Sequence, residues 1–271
     1  IFGYTNFNGI LKKNIPITGV IGDSQASIFA NQCFNKGNTK VTLGTGASIL
    51  TNIGESFEHN NNIITTLSYV YGNKPSYSYE CLINYAGATI SWLKNNLKII
   101  SNEKETNQVF AKTENTEGVV FVPAFVGLSS PHWKPDSKAL IYGLTPSINK
   151  NHIIRAALES IAFQIKDYLD DLEVKNKIKY NDIFIDGGIV SNTSFIQFLT
   201  NTLNKKIYVT NYQDMSSYGA LMMGLLGMKI KKSIKEMKTL RQKYLVYAPS
   251  KNNSANKSYE NWKLVLKKFY F

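Results

Sequence analysis

Apolar positions along the chain alternate between two periods. Ile154, Leu158, Ile161, Ile165 and Leu169 recur at helical spacing and predict a long amphipathic helix that begins at Asn151. Positions 83, 86, 90, 93 and 97 repeat that spacing and predict a second helix with one buried face. Short apolar runs bounded by turn residues predict strands at 15–21, 41–43, 48–53, 119–125, 183–185 and 206–210. Helices are expected over 24–34, 195–203 and 216–228, and the lysine-rich tail from Lys229 reads as mostly helical with a break near Ala248-Pro249. Strands alternating with helices imply an α/β architecture in which helices cover a sheet.

Composition narrows the class. The chain has 271 residues, 43% of them hydrophobic, which is enough for one large domain or two small ones with a proper core. No apolar run reaches the roughly 18 to 20 residues that a bilayer span needs. Cys33 and Cys81 have neither CxxC spacing nor a neighbouring His cluster, so no metal site or disulfide framework is expected, and a reduced cytoplasmic protein is the simplest reading. A net charge of +12 raises the question of nucleic acid. Only Arg155 and Arg241 are arginines, however, and arginine is the side chain suited to bidentate phosphate and base contacts. Lysines and asparagines are spread along the whole chain, residues 60–62 included, as solvated surface rather than as a binding strip, and no nucleic-acid partner is expected.

Three glycine-bearing turns carry candidate chemistry. In Gly22-Asp23-Ser24 an acid stands between a strand and a helix, where it serves either as a helix cap or as a general base toward an acceptor hydroxyl. In Gly44-Thr45-Gly46 two glycines flank a threonine; the segment is either a hairpin turn or a place where backbone amides approach an anion. No Gly-Lys-Ser/Thr follows, so it is not a P-loop. In Asp186-Gly187-Gly188, with Asn192 at the next helix start, a strand–helix joint offers bare backbone and a side-chain amide, to a nucleotide or only to the helix cap. His59, His132 and His152 are far apart and suggest no triad, and Trp92, Trp133 and Trp262 are expected to pack.

The order and separation of these turns resemble the FGGY family of carbohydrate kinases. Gly22-Asp23, Gly44-Thr45-Gly46, Ala86-Gly87-Ala88, the segment 121–128 and Asp186-Gly187-Gly188 follow one another as in that family, and the segment 121–133 with Pro131 and Trp133 looks glycerol kinase-like. The stretch 139–144, seven residues, then 152–159 is similar to the family's long carboxyl-terminal signature. The resemblance implies an actin-like (ribonuclease H-like) ATPase fold, with residues 1–30 as the end of an amino-terminal domain and 31–271 as the carboxyl-terminal domain. It also implies ATP, Mg2+, a small polyol or sugar as acceptor, glycerol first, and an amino-terminal domain of the same protein to complete the cleft; a homo-oligomer stays open.

By that resemblance Asp23 is the catalytic base, and Gly44, Thr45, Gly46, Gly87, Ser91, Gly188 and Asn192 bind nucleotide. Asp23, Ser24 and Ser48 bind the acceptor. Three positions depart from the glycerol kinase pattern: Ser24 stands in place of Gln, Ser48 in place of an aromatic residue, and Ser91 in place of Gln. The first two leave open another polyol, a ketose or gluconate. A non-catalytic actin-like nucleotide-binding domain is the alternative from a different class.

Overall fold

The computed structural model describes residues 2–59, 62–210, 212, 214–250 and 254–271. Ile1, where the chain begins, and Asn60 and Asn61 of the asparagine loop lie outside them. A small hairpin pairs β1 (Gly3–Thr5) with β2 (Ile15–Ile17), and α1 (Asp23–Ala30) follows. The main sheet then takes β3 (Thr39–Leu43), β4 (Ala47–Gly54), β5 (Ile64–Tyr71) and β6 (Lys74–Ile83). Helices α2 (Gly87–Asn95) and α3 (Glu105–Lys112) and the two-stranded pair β7 (Val120–Val122) and β8 (Leu140–Tyr142) precede the long helix α4 (Lys150–Lys175). The remainder comprises β9 (Ile183–Gly187), α5 (Thr193–Leu203), β10 (Ile207–Val209), α6 (Met215–Gly227), β11 (Leu245–Tyr247) and α7 (Ser254–Tyr270).

The seven-stranded sheet has the order β11-β10-β9-β3-β4-β6-β5. Its β10, β9 and β3 run parallel, and the other neighbours pair antiparallel. It is thus a mixed sheet with helices on both faces. One face buries Val41, Leu43, Ile49, Cys81, Ile183 and Ile185 against α4, whose Ile154, Leu158, Ile161, Ile165 and Leu169 are all fully buried. Asn149 and His152 cap that helix reciprocally and so satisfy two of its orphan donors. The other face packs Leu50 and Phe184 against Ile28 of α1, with α6 alongside. Gly219 permits that contact: a Cβ there would sit 1.9 Å from the Ala26 carbonyl oxygen.

Four expectations need revision. The strand predicted at 15–21 stops at Ile17, which pairs with Gly3 of β1. The helical spacing from Ile83 spans a strand end: Ile83 closes β6, and only Gly87–Asn95 is helical. The tail is not continuous helix. It contains a 3-10 turn (Ile234–Leu240) and β11, which covers the backbone edge of β10 before α7 begins. Trp92 and Trp262 pack, but Trp133 is 45% exposed and donates through Nε1 to the Asn62 carbonyl. Both cysteines are free and buried, and burial pushes their thiols up, away from reactivity. Among the described residues no helix is long and apolar enough to cross a membrane.

Candidate functional site

Parallel strands β3 and β9 end side by side, Leu43 opposite Gly187. Open α/β sheets offer their ligand crevices beyond such carboxyl ends. The Gly44–Gly46 turn leaves β3 there and is laced to the start of α2: Gly87 N donates to Gly44 O at 3.0 Å, and Ala88 N to Thr45 O at 2.8 Å. A Cβ on Gly87 would lie 2.6 Å from Gly44 O, so this seam closes only with glycine. Gly187 likewise has φ of +105° and lies against Leu43, where a Cβ would meet Leu43 O at 2.3 Å. Gly188 is different. Nothing stands within 4 Å of a Cβ built on it, because it faces the open crevice.

The crevice is a cavity of about 340 Å³, lined by Gly44, Thr45, Gly87, Ser91, Gly188 and Asn192. Six of the seven residues expected to bind nucleotide are therefore gathered in one place. Gly46 is not among the lining residues; it lets the turn close against the Ile83 carbonyl, 2.5 Å from where its Cβ would be. Asn192 has two roles to fill. Its Oδ1 accepts from Phe195 N at 3.0 Å and caps α5, while its buried Nδ2 has no partner. A buried amide donor without an acceptor is costly, and here it borders the cavity.

The remaining wall comes from Ile90 on α2 and from Lys104, Thr106 and Asn107 around α3, none of which was identified from the sequence. Helix α3 is short and polar, with only Thr106 and Phe110 buried, so its apolar pattern is too brief to read. Arg155 of α4 ties it down through Nη1, which donates to the carbonyls of Phe110 (3.1 Å) and Thr113.

Asp23, Ser24 and Ser48 lie apart from this cavity, on the α1 side of the sheet. Asp23 is the first residue of α1, with Gly22 at the cap position, and its exposed carboxylate accepts only the adjacent Ser24 amide, at 2.6 Å. Ser48, on β4, accepts through Oγ from Lys40 Nζ at 3.3 Å. A larger cavity of about 710 Å³ opens between β7, α4 and α7; it is lined by Phe121, Ala156 and Glu159 of the family motifs but by none of the residues expected to bind nucleotide or acceptor.

The family model for the FGGY family of carbohydrate kinases, C-terminal domain, matches residues 39–228. The chain belongs to this family. Glycerol kinase 1 of Thermotoga maritima is 39% identical over 273 residues, covering 99% of this chain and 55% of that protein. A crystal structure of Plasmodium falciparum glycerol kinase with ADP superposes with a TM-score of 0.88 at 35% identity, over 97% of this chain and 53% of that one. A xylulose kinase from Lactobacillus acidophilus, at 18% identity and a TM-score of 0.80, shares the fold over 91% of this chain and 50% of its own. The mixed sheet flanked by helices is thus the actin-like ATPase architecture of FGGY kinases, and the chain spans about half the length of the relatives it matches.

Proposed function

We propose that this FGGY chain is the carboxyl-terminal half of an ATP-dependent kinase that phosphorylates a small polyol, glycerol first. The observation that carries the reading is the crevice beyond β3 and β9, where Gly44, Thr45, Gly87, Gly188 and Asn192 line one cavity. The similar Plasmodium falciparum enzyme was solved with ADP. In this reading the Gly44–Gly46 turn and the Thr45 hydroxyl hold phosphate oxygens, and Gly188 and Asn192 hold the nucleoside side. Asp23 draws the proton from the acceptor hydroxyl as its oxygen attacks the terminal phosphorus. Its exposed position at the first turn of α1 leaves the carboxylate accessible to an acceptor hydroxyl.

Magnesium belongs to the same reading. Among the described residues no cluster of three or more His, Cys, Asp or Glu could hold a metal. In this reading the cation is carried by the nucleotide phosphates, with most of its protein ligands in the amino-terminal domain. When bound, it neutralises charge on the phosphate oxygens. The amino-terminal domain of the same protein supplies the opposite wall of the cleft. Residues 1–30 are its end, with α1 carrying Asp23 onto this sheet.

A second acceptor reading is favoured by Ser24 and Ser48, which are shorter than the residues usual in glycerol kinases and leave space for a four- or five-carbon substrate. The test compares kcat/KM for glycerol, erythritol, dihydroxyacetone and xylulose in the full-length protein. Glycerol is expected to lead. A tenfold advantage for a larger compound, about 1.4 kcal/mol in transition-state binding, transfers the assignment to that compound.

A further inference from the structure

On the α1 face of the sheet, the strand registers line up polar residues beneath α1. Lys40 of β3 stands opposite Leu50 of β4, which in turn stands opposite Glu80 of β6. Two residues along, Thr42 faces Ser48 on one side and Asp186 on the other. Residues two apart on a strand share a face, so these side chains all project the same way. Lys40 is only 1% exposed, and its ammonium, with three donors, makes a single hydrogen bond among the described residues, to Ser48 Oγ. Thr42 Oγ1 is buried and has no partner. Asp186 is already held from α1, with Ser27 Oγ and Asn31 Nδ2 each 3.2 Å from Oδ2.

A buried cation with unused donors is expensive, and a better-packed apolar residue would serve the core as well. Burial indeed lowers the Lys40 pKa; the opposing carboxylates are first Asp186, then Glu80, with Asp23 a weaker contributor and Cys33 between them. The cost makes sense if the charge acts on something at the open end of this polar row. Ser48 is the half-buried residue through which it reaches that end. Because Lys40 occupies a lone pair of Ser48 Oγ, the serine hydroxyl hydrogen is left to point outward and donate.

We propose that Lys40 is a positioning residue for the acceptor: its buried ammonium, bonded to Ser48 Oγ, fixes Ser48 as a hydrogen-bond donor to an acceptor oxygen beside the base. The chemical class it selects is a polyol or ketose that presents a hydroxyl or carbonyl oxygen next to the hydroxyl being phosphorylated. This inference rests on the reading of Asp23 and Ser48 as the acceptor end of a kinase cleft. It adds a residue to which the sequence motifs give no role.

The experiment is a double-mutant cycle in the full-length protein with ATP and glycerol, using Lys40→Met, Ser48→Ala, their combination, and Asp23→Asn. Each single change at 40 or 48 is expected to raise the glycerol KM about tenfold and leave the ATP KM within twofold. The combination is expected to be no worse than the stronger single variant, because both break one relay. Effects that multiply, or a Lys40→Met change that raises the ATP KM equally, overturn the proposal. If Lys40→Met does not fold, Ser48→Ala decides alone, and an unchanged glycerol KM overturns it. Asp23→Asn separates the two levels. An Asn variant with near-normal kcat, or a wild-type protein without turnover, overturns the acceptor-end reading and this inference with it, whereas loss of kcat there beside an unmoved Ser48→Ala defeats the relay alone.

Discussion

Neighbouring glycines at the end of β9 have opposite jobs, and single substitutions should separate them. At Gly187 a Cβ meets the Leu43 carbonyl at 2.3 Å on a backbone with φ of +105°, so Gly187→Ala should destabilise the fold, by roughly 1–3 kcal/mol. At Gly188 the space is open, so Gly188→Leu should leave the melting temperature nearly unchanged and weaken ATP binding on the order of tenfold by filling the crevice. Thermal denaturation and titration calorimetry on both variants check the contrast. Asn192→Asp poses the same question for the cap. Aspartate keeps the acceptor for Phe195 N but buries an unpartnered oxygen, so a stability loss of about 1–3 kcal/mol is expected, and losing the Nδ2 donor and adding a negative charge should cost at least tenfold in ATP affinity. If ATP affinity is unchanged, Asn192 is a cap and nothing more. Either job for each of these residues could be read from the sequence, but their coexistence could not, because an orphaned amide becomes visible only once its surroundings are known.

Among the elements, α4 was legible because its five apolar positions keep strict helical spacing over four turns and all become fully buried. Hairpin β5–β6 was not, since its Ser, Thr and Tyr residues alternate weakly and the turn signal Gly72-Asn73, both at positive φ, is brief. The wall formed by α3 was missed for a related reason: a two-turn helix has too few apolar positions to show a period. Helix α4 also carries a pH-sensitive group. Burial pushes the Glu159 carboxyl from its ordinary 4.5 up to about 7, against the opposing pull of Arg155, whose Nε donates to it at 2.7 Å. A raised carboxyl favours the fold while protonated. Its contribution is thus complete below pH 4.5 and is lost as pH rises through about 7, roughly 3 kcal/mol in all. Glu159→Gln mimics the protonated form and should flatten that slope, so urea unfolding at pH 5 and pH 8 should differ less in the variant than in the parent. An identical slope in both assigns the pH dependence to other groups.

At the scale of the whole molecule, the crevice beyond β3 and β9 and the acidic start of α1 lie on different parts of the structure, and Asp23 does not line the crevice. Phosphoryl transfer needs both reactants held in line in a water-poor site, so the 271-residue chain alone should bind ATP yet turn over no acceptor usefully. Turnover by the isolated chain at the 1 to 100 per second typical of kinases would show that the site is complete without another domain. The expectation of a divided site comes from the family's order of turns, while the polar row under α1 emerged only from strand register. The most direct measurement is transfer of the terminal phosphate of ATP to glycerol by the full-length protein, with Asp23→Asn measured alongside. Glycerol-dependent formation of glycerol phosphate is expected, with kcat about 10²- to 10⁴-fold lower in the Asn variant and the ATP KM nearly unchanged. Contradiction would be a full-length protein that binds ATP but transfers phosphate to neither glycerol nor any other small polyol or sugar, or an Asn variant that works as well as its parent.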